Sequence, residues 1–343
     1  MAGEQRLLLD SIDDYLGPSE TRFFSRGYQR AAYRVADVVV TPADAPDAGV
    51  RATVDVTYPA DWSRKKDGTD LRPHLSTVDA LVLGVQLAEL HLAHGYGLDG
   101  AGRARMRLRK VVLRAGGAPQ EELTDIPLAA RLVRTEEVPE PTGRFLSVHD
   151  CTVGNLRVRC EIEHDIAVRT VEEARHESLE KALGPGTERF WGDGFKNRRH
   201  FIRNVGIDMD ALAARAEVHF APERDTGREG IEGDTQPSVS LIDAFVVNLQ
   251  LVQVLMYELD SISRAESNTL WMMQTVLEAP PSAGPPVHAD APLVAEAALT
   301  GKRLLPLRGG IWRSVEIKAS LAGAQLRCGF AHELPAQAAA TAA

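Results

Sequence analysis

Pro73-His74-Leu75-Ser76-Thr77-Val78-Asp79-Ala80-Leu81-Val82-Leu83-Gly84-Val85-Gln86-Leu87-Ala88-Glu89-Leu90 is the stretch whose reading decides the fold. Ser76 is a good N-cap, and Asp79 three residues on has capping-box spacing with Asp in place of Glu. A helix of about four to five turns starts there. From Leu75 to Leu92 the apolar residues fall on nearly every face, and a helix apolar all round is buried. Asp79, Gln86, Glu89 and His91 interrupt it too often for a membrane span.

Working outward, the same stretch returns. Pro237-Ser238-Val239-Ser240-Leu241-Ile242-Asp243-Ala244-Phe245-Val246-Val247-Asn248-Leu249-Gln250-Leu251 repeats it 164 residues later, with Pro73, Ser76, Asp79, Gln86 and Leu87 matched by Pro237, Ser240, Asp243, Gln250 and Leu251. Ser11 to Pro18, a short helix stopped by Gly and Pro, is echoed by Ser178 to Pro185 at an offset of 167. Arg22 to Tyr28 is matched by Arg189 to Phe195 at the same offset, and both read as strand-like with core aromatics. Arg51 to Val54 matches Arg215 to Val218, and Met106 to Ala115 matches Leu270 to Ala279, both at 164. Val158-Arg159-Cys160 with His164 matches Leu326-Arg327-Cys328 with His332 at 168. Strands are expected at Val50 to Tyr58, where apolar and polar residues alternate, at Met106 to Ala115 and at Ile126 to Val133.

Segments in one order at nearly constant offset are a tandem duplication. We place repeat one at residues 1–170, repeat two at 171–334 and a disordered Ala-rich tail at 335–343, with Val171 to Lys181 helical at the boundary. Each copy gives a short helix, one or two strands, a long buried helix, then three or four strands. Short connections favour antiparallel pairing. The expected class is therefore α+β, a double hot-dog in which two antiparallel sheets each wrap a long buried helix. Two independent α+β domains are the alternative, but a lone copy leaves a sheet edge that pairing would cover.

Composition narrows the function classes. The chain has 343 residues, 44% hydrophobic and 25% charged, an ordinary globular balance. A net charge of -9 argues against a general nucleic-acid binder. Three cysteines, Cys151, Cys160 and Cys328, are neither a disulfide framework nor a zinc motif. No secretory signal is visible at Met1 to Leu16, so the expected location is cytoplasmic. No P-loop, dinucleotide-binding glycine pattern, metalloprotease motif or Gly-x-Ser-x-Gly elbow is present, and no cofactor or metal is expected.

Ser11-Ile12-Asp13-Asp14-Tyr15-Leu16-Gly17, Arg22-Phe23-Phe24-Ser25, Tyr58-Pro59 with Asp61-Trp62-Ser63, and above all Pro73 to Leu81 resemble the avirulence D (AvrD) family. The resemblance continues through Val158 to His164 and covers most of the chain. It implies a secondary-metabolism enzyme of syringolide-type butenolide biosynthesis: an acyltransferase that condenses a β-ketoacyl thioester with a xylulose-type sugar, free or as its phosphate. A β-ketoacyl carrier protein or an acyl-CoA would be the donor. The logic is similar to that of the butyrolactone autoregulator synthases. No nucleic acid or membrane is implied, and a homodimer is allowed. A hot-dog acyl-thioester dehydratase or thioesterase, or a non-catalytic acyl-ligand binding protein, are the rival readings.

The resemblance carries no catalytic residues, so candidates come from this sequence. Unpaired N–H groups and the dipole at a helix N-terminus favour negative charge and would stabilise a thioester oxygen as it becomes an oxyanion. His74, Ser76 and Asp79 stand beside the first such end. Imidazoles titrate near neutrality, so His74 is the candidate base for a sugar hydroxyl; a surface loop histidine is the plainer reading. Asp79 and Asp243 are candidate bases, but with Ser76 and Ser240 they are equally explained as caps. Gln86 and Gln250 share a helix face with those aspartates and either satisfy neighbouring groups or line an acyl tunnel. Arg64, Lys65 and Arg72 before the first helix, and Arg198 and Arg199 in repeat two, are candidate sites for a phosphate or coenzyme A diphosphate; solvated charge is the alternative. Cys160 and Cys328 read as small buried hydrophobes rather than nucleophiles.

Overall fold

The computed structural model describes residues 6–61, 73–140, 143–224, 227–264, 266–267, 270–286, 292–307 and 309–342. Repeat one contributes β1 (Arg6–Ser11), β2 (Ala32–Thr41), β3 (Gly49–Thr57), the first central helix (Thr77–Gly95), β4 (Arg107–Arg114), β5 (Ile126–Glu137), β6 (Phe145–Val153) and β7 (Leu156–His164). Repeat two contributes β8 (Ala174–Ser178), β9 (Arg198–Asp208), β10 (Ala213–Pro222), the second central helix (Leu241–Leu259), β11 (Trp271–Glu278), β12 (Leu293–Leu307), β13 (Gly310–Leu321) and β14 (Ala324–Glu333).

All these strands form one sheet in the order β1-β9-β10-β12-β13-β14-β11-β4-β7-β6-β5-β3-β2-β8. The join is the antiparallel pair β4–β11, in which Val112 lies opposite Val276, its own counterpart 164 residues later. The repeats are thus related by a pseudo-twofold axis through that pair. Their first strands are exchanged: β1 closes the far edge of repeat two on β9, and β8 closes the far edge of repeat one on β2. Each repeat therefore covers the other's open edge, and the two-independent-domain arrangement is excluded. The protein is a double hot-dog.

Both central helices are buried along nearly their whole length, so each sits inside a curl of sheet. Leu241–Leu259 is long and apolar enough to cross a membrane, but 89% of its most apolar window is buried inside the fold, as a core helix requires. Strand β7 alternates buried and open positions along its length, Leu156, Val158, Cys160 and Ile162 facing the helix. Gly84 lets the first helix approach this strand, for a Cβ there would stand 3.0 Å from Val158.

Four local expectations need correction. Arg22 to Tyr28 is not a strand: Phe23–Gly27 is a single π-helical turn, and the Arg22 carbonyl accepts from the Ser25, Arg26 and Gly27 N–H groups. Its partner segment in repeat two also turns, with Phe190, Trp191 and Phe195 fully buried. Adjacent aromatics without alternation cannot all face one side of a strand. Val171 to Lys181 is not one helix but β8 followed by the short helix Leu179–Leu183, capped by Ser178. Strand β5 continues to Glu137, beyond the expected Val133. The tail carries a helix, Ala336–Ala342, with Ala338 buried.

Candidate functional site

Both helix caps form as the spacing predicts. Asp79 accepts from the Ser76 N–H at 2.8 Å and the Ser76 hydroxyl at 2.6 Å, while the Asp79 N–H donates to Ser76 Oγ at 3.1 Å. The Tyr33 hydroxyl donates to Asp79 Oδ1 at 2.7 Å, and Tyr58 donates to Oδ2. Burial first, and then the Asp79 charge, push both tyrosines well above the usual phenol range, so they remain donors. In repeat two Ser240 caps Asp243 in the same way, at 2.9 Å from its N–H and 2.7 Å from its hydroxyl. The decoration differs: Arg198 Nη1 and His200 Nε2 contact Asp243 at 3.0 and 2.9 Å. Burial raises the Asp243 carboxyl, but Arg198, His200 and Ser240 more than offset it and hold it at about 2.

These contacts correct several candidate roles. Asp79 and Asp243 are fully buried, bind the helix caps through both oxygens and do not line the cavity beside Ser76, so they position the helices. Arg198 is spent on Asp243, the Ser238 carbonyl and Gln236. Arg199 is paired with Glu20 and Glu223. Gln250 holds Arg22 at 3.0 Å, and Gln86 holds Arg189 at 3.5 Å. Since Arg22 and Gln86 belong to repeat one and their partners to repeat two, these are reciprocal ties across the pseudo-twofold, not a tunnel lining. Arg64, Lys65 and Arg72 lie outside the described residues. The cysteines are buried and free. Contact with Cys160 and burial push the Cys151 thiol well up, and burial pushes Cys328 up to about 12. Thiolate nucleophiles are disfavoured there.

His74 and Ser76 do meet at a cavity. A space of about 180 Å³ opens where the N-terminus of the first helix faces the C-terminal half of the second. Its apolar wall is Phe23, Phe24, Leu156, Trp271, Met272 and Phe330; its polar groups include Arg22, His74, Ser76, Thr77, Gln253, Tyr257 and Arg264. The Ser76 hydroxyl is committed to Asp79, so it caps rather than attacks. The first intrahelical bond runs from the Ala80 N–H to the Ser76 carbonyl. The N–H of Thr77, one turn earlier, is therefore one of the unpaired donors of the helix end.

The pseudo-equivalent place beside Ser240 is nearly filled, with about 30 Å³ left among Arg107, Arg109, Glu232, Ser240, Leu241 and Gly284. Glu89, the counterpart of Gln253, is fully buried there between Arg103 and Arg189, at 3.5 and 3.9 Å. Burial pushes its carboxyl up, and Arg189 and Arg103 pull it back. The Gly230 backbone packs directly on this carboxylate, since a Cβ would come within 2.7 Å of it. Trp191 donates to the neighbouring Glu232 at 3.1 Å, and burial raises that carboxyl to about 7. One cap thus faces a cavity and the other a buried ion cluster. Arg22, Gln253, Tyr257 and Arg264 were missed by sequence reasoning. The available signal was the repeat itself, where Glu89 is answered by Gln253.

A family model described as Pseudomonas avirulence D protein (AvrD) matches residues 7–335. No curated protein matches the chain. Similar solved structures include a tesB protein of Mycobacterium avium subs paratuberculosis, at 5% identity over 83% of this chain and 93% of that one, TM-score 0.38. A MaoC-like dehydratase is 10% identical over 73% and 83%, TM-score 0.35. The PpsC dehydratase domain of Mycobacterium tuberculosis is 12% identical over 87% and 97%, TM-score 0.35. At these values the likeness extends neither to site residues nor to activity.

Proposed function

The chain belongs to the family of the Pseudomonas avirulence D protein, and from that premise we propose that it joins a β-ketoacyl thioester to a xylulose-type sugar or its phosphate at the cavity beside Ser76. The observation that carries this reading is the cavity itself: an apolar wall suited to an acyl chain meets His74 and a helix N-terminus at one end. The donor thioester, on a carrier protein or coenzyme A, lays its chain along Phe23, Phe24, Trp271 and Phe330. Its carbonyl oxygen takes the Thr77 N–H and the positive end of the helix dipole.

A sugar hydroxyl then adds to the thioester carbon. The carbon–oxygen bond forms, the carbon–sulfur bond breaks, and His74 carries the hydroxyl proton to the departing thiolate. The methylene between the two acyl carbonyls is acidic. Losing a proton, it adds to the sugar's ketone carbon, and elimination of one water leaves an acyl butenolide of syringolide type.

The test is thiol release from a β-ketoacyl thioester, with and without xylulose 5-phosphate or xylulose, by wild type and His74→Ala. Release that requires the sugar and falls in the variant supports the reading. Sugar-independent release would make the protein a thioesterase-like hot-dog, and no release from either donor class would make it an acyl-ligand binding protein.

A further inference from the structure

The two repeats differ in the charge they place beside their caps. In repeat two, Arg189 is fully answered: Nε donates to the Gly184 carbonyl at 3.3 Å, the other nitrogens reach Gln86, and Glu89 supplies a buried carboxylate. Arg103, in the connection after the first helix, shares Glu89 and also meets Glu229 at 3.5 Å. Two cations there face two carboxylates.

Repeat one builds the same place without the central anion. Arg22 is the counterpart of Arg189 and is only 3% exposed. It donates to Gln250 and pairs with Asp13, whose side chain is 45% exposed, and its buried Nε has no partner among the described residues. Arg264 lies in the connection after the second helix, where Arg103 lies after the first. It donates to the Thr21 carbonyl at 3.1 Å and makes no ion pair among the described residues. Both cations line the same cavity; burial brings the Arg22 guanidinium down to about 10, with Asp13 pulling it up and Arg264 pushing it further down. At the position of Glu89 stands Gln253, which is neutral.

We infer that the cavity binds its ligand through a compact anionic group held by Arg22 and Arg264, where Glu89 sits in the closed repeat. The phosphate monoester of the acceptor sugar is that group. This rests on the proposed acyl-transfer reading for the identity of the sugar, and it replaces Arg198 and Arg199 as the anion site.

Binding to the full chain, measured by calorimetry without any thioester, separates this inference from the proposed reaction. Wild type should bind xylulose 5-phosphate at least about tenfold more tightly than xylulose, as charge-assisted bonds from buried arginine allow. Gln253→Glu places a carboxylate where Glu89 stands in the other repeat and should erase that preference, and Arg264→Met should erase it by removing a cation. If Gln253→Glu does not fold, Arg264→Met decides alone. A wild type without phosphate preference, or a preference that survives in the folded variants, overturns the inference. Coenzyme A carries phosphates too: a preference for a coenzyme A thioester over its N-acetylcysteamine analogue, abolished by Gln253→Glu with no sugar-phosphate preference, overturns the assignment to the sugar. Intact phosphate preference with no thiol release would sink the proposed reaction and leave the anion site standing.

Discussion

Asparagine at each cap aspartate should have unequal costs, because the two carboxylates hold different partners. Asp243 lies against Arg198, and both side chains are 1% exposed. Asp243→Asn leaves that guanidinium buried with only neutral acceptors, the Ser238 carbonyl and Gln236 among them. Breaking a buried pair from one side costs about 3–5 kcal/mol. Asp79→Asn strands no cation, since its side-chain partners are Tyr33, Tyr58 and Ser76. Losing charge-assisted hydrogen bonds there costs about 1–3 kcal/mol. The pH dependence follows from the same contacts. Asp243 sits at about 2 when folded, against an ordinary value of about 3.9, a difference worth about 2–3 kcal/mol. A depressed carboxylate stabilises fully above its unfolded value and loses that stability as pH falls through the folded one. The loss should appear between about pH 4 and pH 2 and vanish in Asp243→Asn. Urea unfolding followed by tryptophan fluorescence reads all three quantities. Equal costs for the two variants, or an Asp243→Asn within about 1 kcal/mol of wild type, would refute the reasoning. Turnover adds a second reading. Asp79→Asn should keep activity per folded molecule within about tenfold, whereas a true general base lost would cost about 10²–10⁴.

Four further outcomes follow, three from single sites and one from an edge strand. His74→Ala should lower sugar-dependent thiol release per folded molecule by about 10²–10⁴; a change of less than about threefold removes it as the base. Asn248 is fully buried with neither amide atom partnered among the described residues, so Asn248→Leu should stabilise by about 1–2 kcal/mol in urea unfolding, and clear destabilisation would contradict that. A Cβ on Gly49 would stand 1.9 Å from the Ala130 carbonyl oxygen across the β3–β5 pair. Gly49→Ala should therefore cost upward of about 2 kcal/mol, and a neutral result would show that the strands are not so close. Deleting residues 1–11 uncovers the β9 edge, and light scattering should report aggregation that the full chain lacks.

The fold was readable because both determinants are local and occur twice. Ser76 with Asp79, and Ser240 with Asp243, announce helix starts, and helices apolar on every face can only be interior. The exchange of β1 and β8 left no local trace, since five- and six-residue strands can close either edge by the same rules. Arg22 to Tyr28 misled because aromatic content suggests a strand, while the Arg22 carbonyl gathers three N–H groups into a turn. At the site, His74 and Ser76 were found because they border a cap. Arg198 and Arg199 misled because a basic run does not reveal the carboxylates folded onto it, here Asp243, Glu20 and Glu223. Gln253 and Arg264 come from the far repeat, so only the pseudo-twofold brings them to Ser76.

The mass of the product formed from a β-ketoacyl thioester and xylulose 5-phosphate tests the central claim most directly. The account predicts a species containing both acyl group and sugar, one water lighter than their simple ester, with one thiol released for each molecule formed. Free β-keto acid with unaltered sugar, or intact thioester alone, would contradict it.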